Sequence, residues 1–111
     1  MIVNQTRDTT IASKVETARD PSQRMKGLLG RSSLPQGEAL IITQCQSIHM
    51  FFMEFPIDAI FCDRNNKVVG LCRDIKPFHL SPIFFKANYV IELPVGTITA
   101  SHTQLGDQIK L

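Results

Sequence analysis

Cys45, His49 and Met53 recur every four residues and offer a thiol, an imidazole and a thioether. Together these suit Cu(I). Whether they can share an ion depends on the backbone that carries them. On a helix, residues four apart sit ~6 Å apart between Cβ atoms, but on a strand rising about 3.3 Å per residue the separation is roughly 13 Å. Pro56 and the apolar alternation predict extended backbone for Ser47–Met53. Cu(I) binding is therefore the weaker reading, with core packing by Met and Cys the expected one. No metal and no cofactor are expected.

A second constellation is His49 with Asp58, an imidazole and a carboxyl group that could share a proton in acid–base chemistry. Asp58 follows Pro56-Ile57 and alternates with Ile60 and Cys62, so its carboxylate is expected to be partly buried. Burying a charge without a partner costs several kcal/mol, so some donor must reach it. That donor is either His49 from a neighbouring strand, giving an enzymatic dyad, or backbone N–H groups of the preceding loop, giving a structural turn lock. Glu92 alternates with Val90 and Pro94 and is expected to point outward, unless its face is the ligand face. The candidate ligand-binding set is thus His49, Met53, Asp58 and Glu92. Asp63 is expected to open a turn at Asn65-Asn66, while His79 and His102 fall in loop-like, solvated surroundings.

These residues need elements to place them. One helix is predicted near residues 21–29, with Asp20 as its cap, Pro21 in first position and Gln23 completing a capping box. Its apolar stripe would be Met25, Leu28 and Leu29, with Gly30 ending it. Strand signals cover Lys14–Ala18, Ala39–Thr43, Ser47–Met53, Ile57–Asp63, Lys67–Arg73, Asn88–Leu93 and Gln108–Leu111. The fold expected is mainly β: a single-domain sandwich or a jelly-roll-like, partly closed barrel over residues 1–111. A two-residue turn at Asn65-Asn66 would set Cys62 opposite Val69 and Cys72 opposite Ala59. The two cysteines would then face opposite ways and form no disulfide.

The chain has 111 residues and a net charge of +2, with no polybasic run and no long apolar stretch. A membrane span is not expected. Arg19, Arg24, Lys26 and Arg31 form a local basic surface, but Trp is absent and Tyr89 is the only tyrosine, so no nucleic acid is expected as partner. Polar residues from Asn4 to Asp8 interrupt the apolar core that a secretory signal needs. Three cysteines without metal-site or disulfide spacing read as thiols of a reducing cytoplasm. No phosphate loop, nucleophile elbow or His-Glu-x-x-His motif is present.

The stretch from Ser47 to Asp63, Ser-Ile-His-Met-Phe-Phe-Met-Glu-Phe-Pro-Ile-Asp-Ala-Ile-Phe-Cys-Asp, resembles the signature of the domain of unknown function 192 family. Lys26-Gly27-Leu28-Leu29 resembles that family's early basic-Gly-Leu-Leu element. Val68-Val69 is similar to its strand after the turn, and Pro77 falls in place. Ile91-Glu92-Leu93-Pro94-Val95-Gly96 resembles its Leu-Glu-Leu-Pro-Ala-Gly stretch, and Leu105-Gly106-Asp107 its closing turn. The resemblance covers roughly residues 12–111 and implies a compact, mostly β domain; it brings no reaction or ligand with it. Met50 stands where relatives often carry Thr. The function expected is a small ligand- or protein-binding accessory domain with a polar pocket near His49 and Asp58. A His49/Asp58 enzyme is the alternative. An exposed patch at Phe51, Phe52 and Phe55 would favour a protein partner.

Overall fold

Two strands are apolar at nearly every position, Ile57–Cys62 and Tyr89–Leu93, and every residue in them is buried. Strands of this kind need cover on both faces. A computed structural model, describing residues 1–111, shows how the cover is supplied. In chain order the elements are β1 (Ile2–Asn4), β2 (Thr9–Ala12), β3 (Lys14–Ala18), α1 (Pro21–Lys26), β4 (Glu38–Thr43), β5 (Ile57–Cys62), β6 (Val68–Ile75), β7 (Tyr89–Leu93), α2 (Thr97–Ala100) and β8 (Ile109–Lys110). A five-stranded sheet runs β3-β4-β7-β5-β6, with β3 and β4 parallel and the other pairs antiparallel. A three-stranded sheet runs β2-β1-β8.

Side-chain alternation sorts the large sheet into two cores. Leu40, Ile42, Ala59, Phe61 and Val90 face one way, toward Leu28, Met50 and Met53. Ile41, Ile60, Cys62 and Ile91 face the other way and pack against Ile2, Ile11, Ala12 and Ile109 of the small sheet. The molecule is a β sandwich with two short helices, and it does not close into a barrel.

Six of the expected strands form. Ser47–Met53 does not: it is an irregular loop holding a single bridge, His49 to Leu80. Positive φ at Gln44 and Phe52 breaks the pleat at either end. Its partner segment contains Pro77 and Pro82, which have no N–H to give to a ladder. The two loops still pair loosely, with the amides of Met50, Phe78, Ser81 and Phe84 bonding across. The short strands β1 and β2 escaped the sequence reading, as did α2.

The capping box of α1 forms as expected: Asp20 accepts from the Gln23 amide at 2.8 Å, and the Gln23 side chain returns to the Asp20 amide. The helix stops earlier, at Gly27 (φ 48°), not Gly30, and buries none of its own residues. Met25 is 83% exposed, so the apolar stripe is not its anchor; Leu28, in the turn beyond, is buried instead. In the β5–β6 hairpin Ala59 pairs with Cys72 as expected. Cys62 meets Val68 rather than Val69, because the register shifts between Phe61 and Cys62. Asp63 Oδ1 accepts from the amides of Asn65 and Lys67. All three cysteines are free.

The cleft beneath the first helix

At the centre of the large sheet, β7 places Glu92 between Leu40 of β4 and Ala59 of β5. It therefore points inward with Val90, not outward, and is buried. Gly27 lies over it: a side chain there would begin 3.9 Å from a Glu92 carboxyl oxygen. Leu28 and the 45–53 loop close the sides. The resulting cleft of about 110 Å³ is lined by Arg24, Ile42, Cys45, His49, Met50, Met53 and Glu92, among others.

Burial pushes the Glu92 carboxyl up to about 7, with the positive charge of Arg31 opposing the shift. No protein donor reaches it; its oxygens open on the cleft, which Arg24 and Lys26 also line. Cys45 Sγ donates to the carbonyl of Ser47 at 3.1 Å, and burial raises its thiol above the ordinary range. His49 sits at the exposed mouth with its ring stacked on Phe51, centroids 5.3 Å apart. Met53 is buried in the wall.

Asp58 lies elsewhere. It points with Ile60 and Cys62 to the opposite face of the sheet, where Oδ1 accepts from the Asp74 amide at 2.9 Å. Oδ2 accepts from the amides of Gly96 at 3.1 Å and Ile98 at 2.9 Å. The structure thus separates His49 from Asp58 by a sheet, and the carboxylate serves as a lock for later segments rather than for the preceding loop. His49, Met53 and Glu92 are brought together, and Cys45 joins them. Because Ser47–Met53 is a loop, the rise of a strand does not set the spacing of Cys45, His49 and Met53. No three His, Cys, Asp or Glu side chains are grouped so that they could hold a metal ion. Ile42, Leu28 and the roof at Gly27 were missed by sequence reasoning, although Lys26-Gly27-Leu28-Leu29 had stood out as a motif.

Three stretches singled out in the sequence meet at this cleft: the Ser47–Asp63 segment, the Gly27 element and the Glu92 element. Over residues 2–111 the chain matches the model of domain of unknown function 192, described as Uncharacterized ACR. The chain belongs to that family. Among domain 192 relatives, a UPF0127 protein of Thermococcus sibiricus is 33% identical over 113 residues, covering 98% of this chain and 73% of its own. Another UPF0127 protein, from Pyrococcus horikoshii, is 32% identical over 115 residues, covering 99% and 97%. A crystal structure of a protein of unknown function from Novosphingobium aromaticivorans has a TM-score of 0.79 at 22% identity, over 87% of this chain and 74% of that one. A protein from Sinorhizobium meliloti gives 0.76 at 24%, over 86% and 79%. The likeness to these two structures is one of fold. No helix is long and apolar enough to cross a membrane.

Proposed function

We propose that this chain is a binding domain whose cleft beneath α1 takes a small group bearing a positive charge or a hydrogen-bond donor, with Glu92 as its anchor. One observation carries the reading. The Glu92 carboxyl group takes no protein donor and opens on the cleft, so a donor that enters there is placed to pair with it. Met50, Met53, Ile42 and Leu28 provide apolar walls, and His49 stands at the entrance. The free thiols support a reducing, cytoplasmic setting.

The simplest probe is n-butylammonium. Titrated into the 15N-labelled chain, it is expected to shift the amide resonances of Met50, Met53 and Glu92 saturably. Glu92→Gln keeps the shape and removes the charge, and should abolish saturation. Equal shifts in both proteins, or none in either, would reject the proposal. Because the ligand needs an ionised anchor, wild-type affinity should rise as pH increases through about 7.

A further inference from the structure

We infer that β3 is a docking edge: an extended peptide segment of a partner protein adds to the large sheet beside it, with acidic side chains on the α1 face and apolar ones on the other. The backbone there has open partners. β3 is the outermost strand of its sheet, and Lys14 gives its amide to the Gly37 carbonyl. Strand alternation therefore turns the N–H and C=O groups of Lys14, Glu16 and Ala18 toward β4 and those of Val15 and Thr17 outward. No hydrogen bond from elsewhere in the chain reaches these outward groups. The next outward residue, Arg19, is already engaged: its amide donates to the Gln23 side chain and its carbonyl accepts from Arg24.

The other edge of the large sheet is not open in this way. Val68, at the start of β6, exchanges backbone bonds with Gly106 and Asp107. Near the end of β6, Asp74 takes a positive φ of 49° and breaks the pleat.

Successive residues of an added strand point to opposite faces, and the edge of β3 has a hollow on each. Val15 and Thr17 share a face with Ala39 and Ile41, where a hollow of about 430 Å³ is lined by Ile2, Ile41, Tyr89 and Leu111. On the face of Glu16 and Ala18, a hollow of about 320 Å³ lies beneath α1, lined by Gln23, Lys26 and Leu29. A cavity of roughly 150 Å³ holds a benzene ring, so each hollow takes a whole side chain. Ladder bonds supply affinity and the alternating hollows supply selection, as in other cases of strand addition.

Charge and polarity give the partner its chemistry. Arg31 is held by Glu16 at 2.9 Å, whereas Lys14 and Lys26 on the α1 face are in no ion pair. Acidic side chains answer them. The opposite hollow, with Ile2, Ile41 and Leu111, suits aromatic or aliphatic ones. A second copy of β3 fits less well. An antiparallel pairing that uses Val15 and Thr17 of both copies sets Glu16 opposite Glu16, and directly opposed like charges are destabilising.

Selection of phage-displayed random peptides against the purified chain tests this, followed by calorimetry and amide exchange with a selected peptide. Enriched peptides should alternate Asp or Glu with aromatic or aliphatic residues. The amides of Val15 and Thr17 should exchange about tenfold or more slowly in the complex. A peptide of the same composition with its alternation broken should bind about tenfold or more weakly. Lys14→Glu, at an exposed position, should cost about fivefold or more. Thr17→Pro removes one outward N–H from an edge strand and should cost a similar factor; should it fail to fold, Lys14→Glu and amide exchange decide. No enrichment, enrichment without alternation, affinity unchanged in either folded variant, or unaltered exchange at Val15 and Thr17 would each overturn the inference. So would a dimer in sedimentation whose Val15 and Thr17 amides are protected without peptide. Glu92→Gln should leave the peptide's affinity unchanged; a loss there would place the peptide in the cleft and overturn the docking edge.

Discussion

Glu92 is the residue on which the site depends, and its cost is measurable. In the unfolded chain it titrates near its ordinary value of 4.5, whereas burial holds it near 7 in the fold. Between those values the native state binds more protons than the unfolded state, so stability falls as pH rises. The fall begins near 4.5 and is complete somewhat above 7, with a total on the order of 3 kcal/mol. Chemical denaturation across that range should show the decline in the wild type and a flatter profile in Glu92→Gln. The variant should therefore be the more stable protein above pH 7; parallel profiles would mean that the carboxyl group is better solvated than its burial implies. The acid was recognisable from the sequence as a candidate, but its direction was not. Alternation with Val90 and Pro94 assigns Glu92 a face, and only the location of the second layer says whether that face is wet.

Elements are joined by side chains that reach backbone, and Asp58 is the clearest case. Its two oxygens take three amides, from Asp74 in β6, Gly96 before α2 and Ile98 within α2. Asn keeps the shape but has one oxygen, and turns an NH₂ toward amides that also donate. Asp58→Asn should thus lose stability by about 1–3 kcal/mol per orphaned group, seen as a lower melting temperature with the response to n-butylammonium retained. A melting temperature equal to wild type would contradict the lock. The expectation of partial burial and of a necessary donor came from alternation and desolvation cost, and both appear in the fold. The identity of the donors did not, because α2 lies far along the chain. The helix α1 gives a similar lesson: its capping box follows from local residue types, while its length is set by Gly27 and its packing by Leu28 in the following turn.

At the scale of the whole molecule, the two ends of the chain are held by one buried polar group. Asn4 on β1 donates to Asp107 and Thr103, and Arg7 Nε donates to Asp107 at 3.0 Å. This ties the start of the chain to the segment that leads into β8 and so keeps the small sheet over the second core. Arg7→Ala should leave Asp107 short of donors and cost about 1–3 kcal/mol. Amides of β1 and β8 should then exchange with solvent faster than those of β5 and β7; uniform acceleration would mean that the small sheet does not open independently. The sequence by itself determined the strands β3 to β8, the helix cap, the Asp63 turn and the separation of Cys62 from Cys72, because each rests on interactions between near neighbours or on the two-residue period of a strand. It missed β1 and β2, whose few residues become strands by pairing with each other and with β8. It also predicted a strand for Ser47–Met53, where apolar composition reflects a loop that lines a cleft on one side and meets solvent on the other. Tertiary structure alone decided that Glu92 faces inward, that His49 and Asp58 lie on opposite sides of a sheet, and that Gly27 roofs the site. Those facts depend on which layer covers which face, and residues distant in the chain supply the layers.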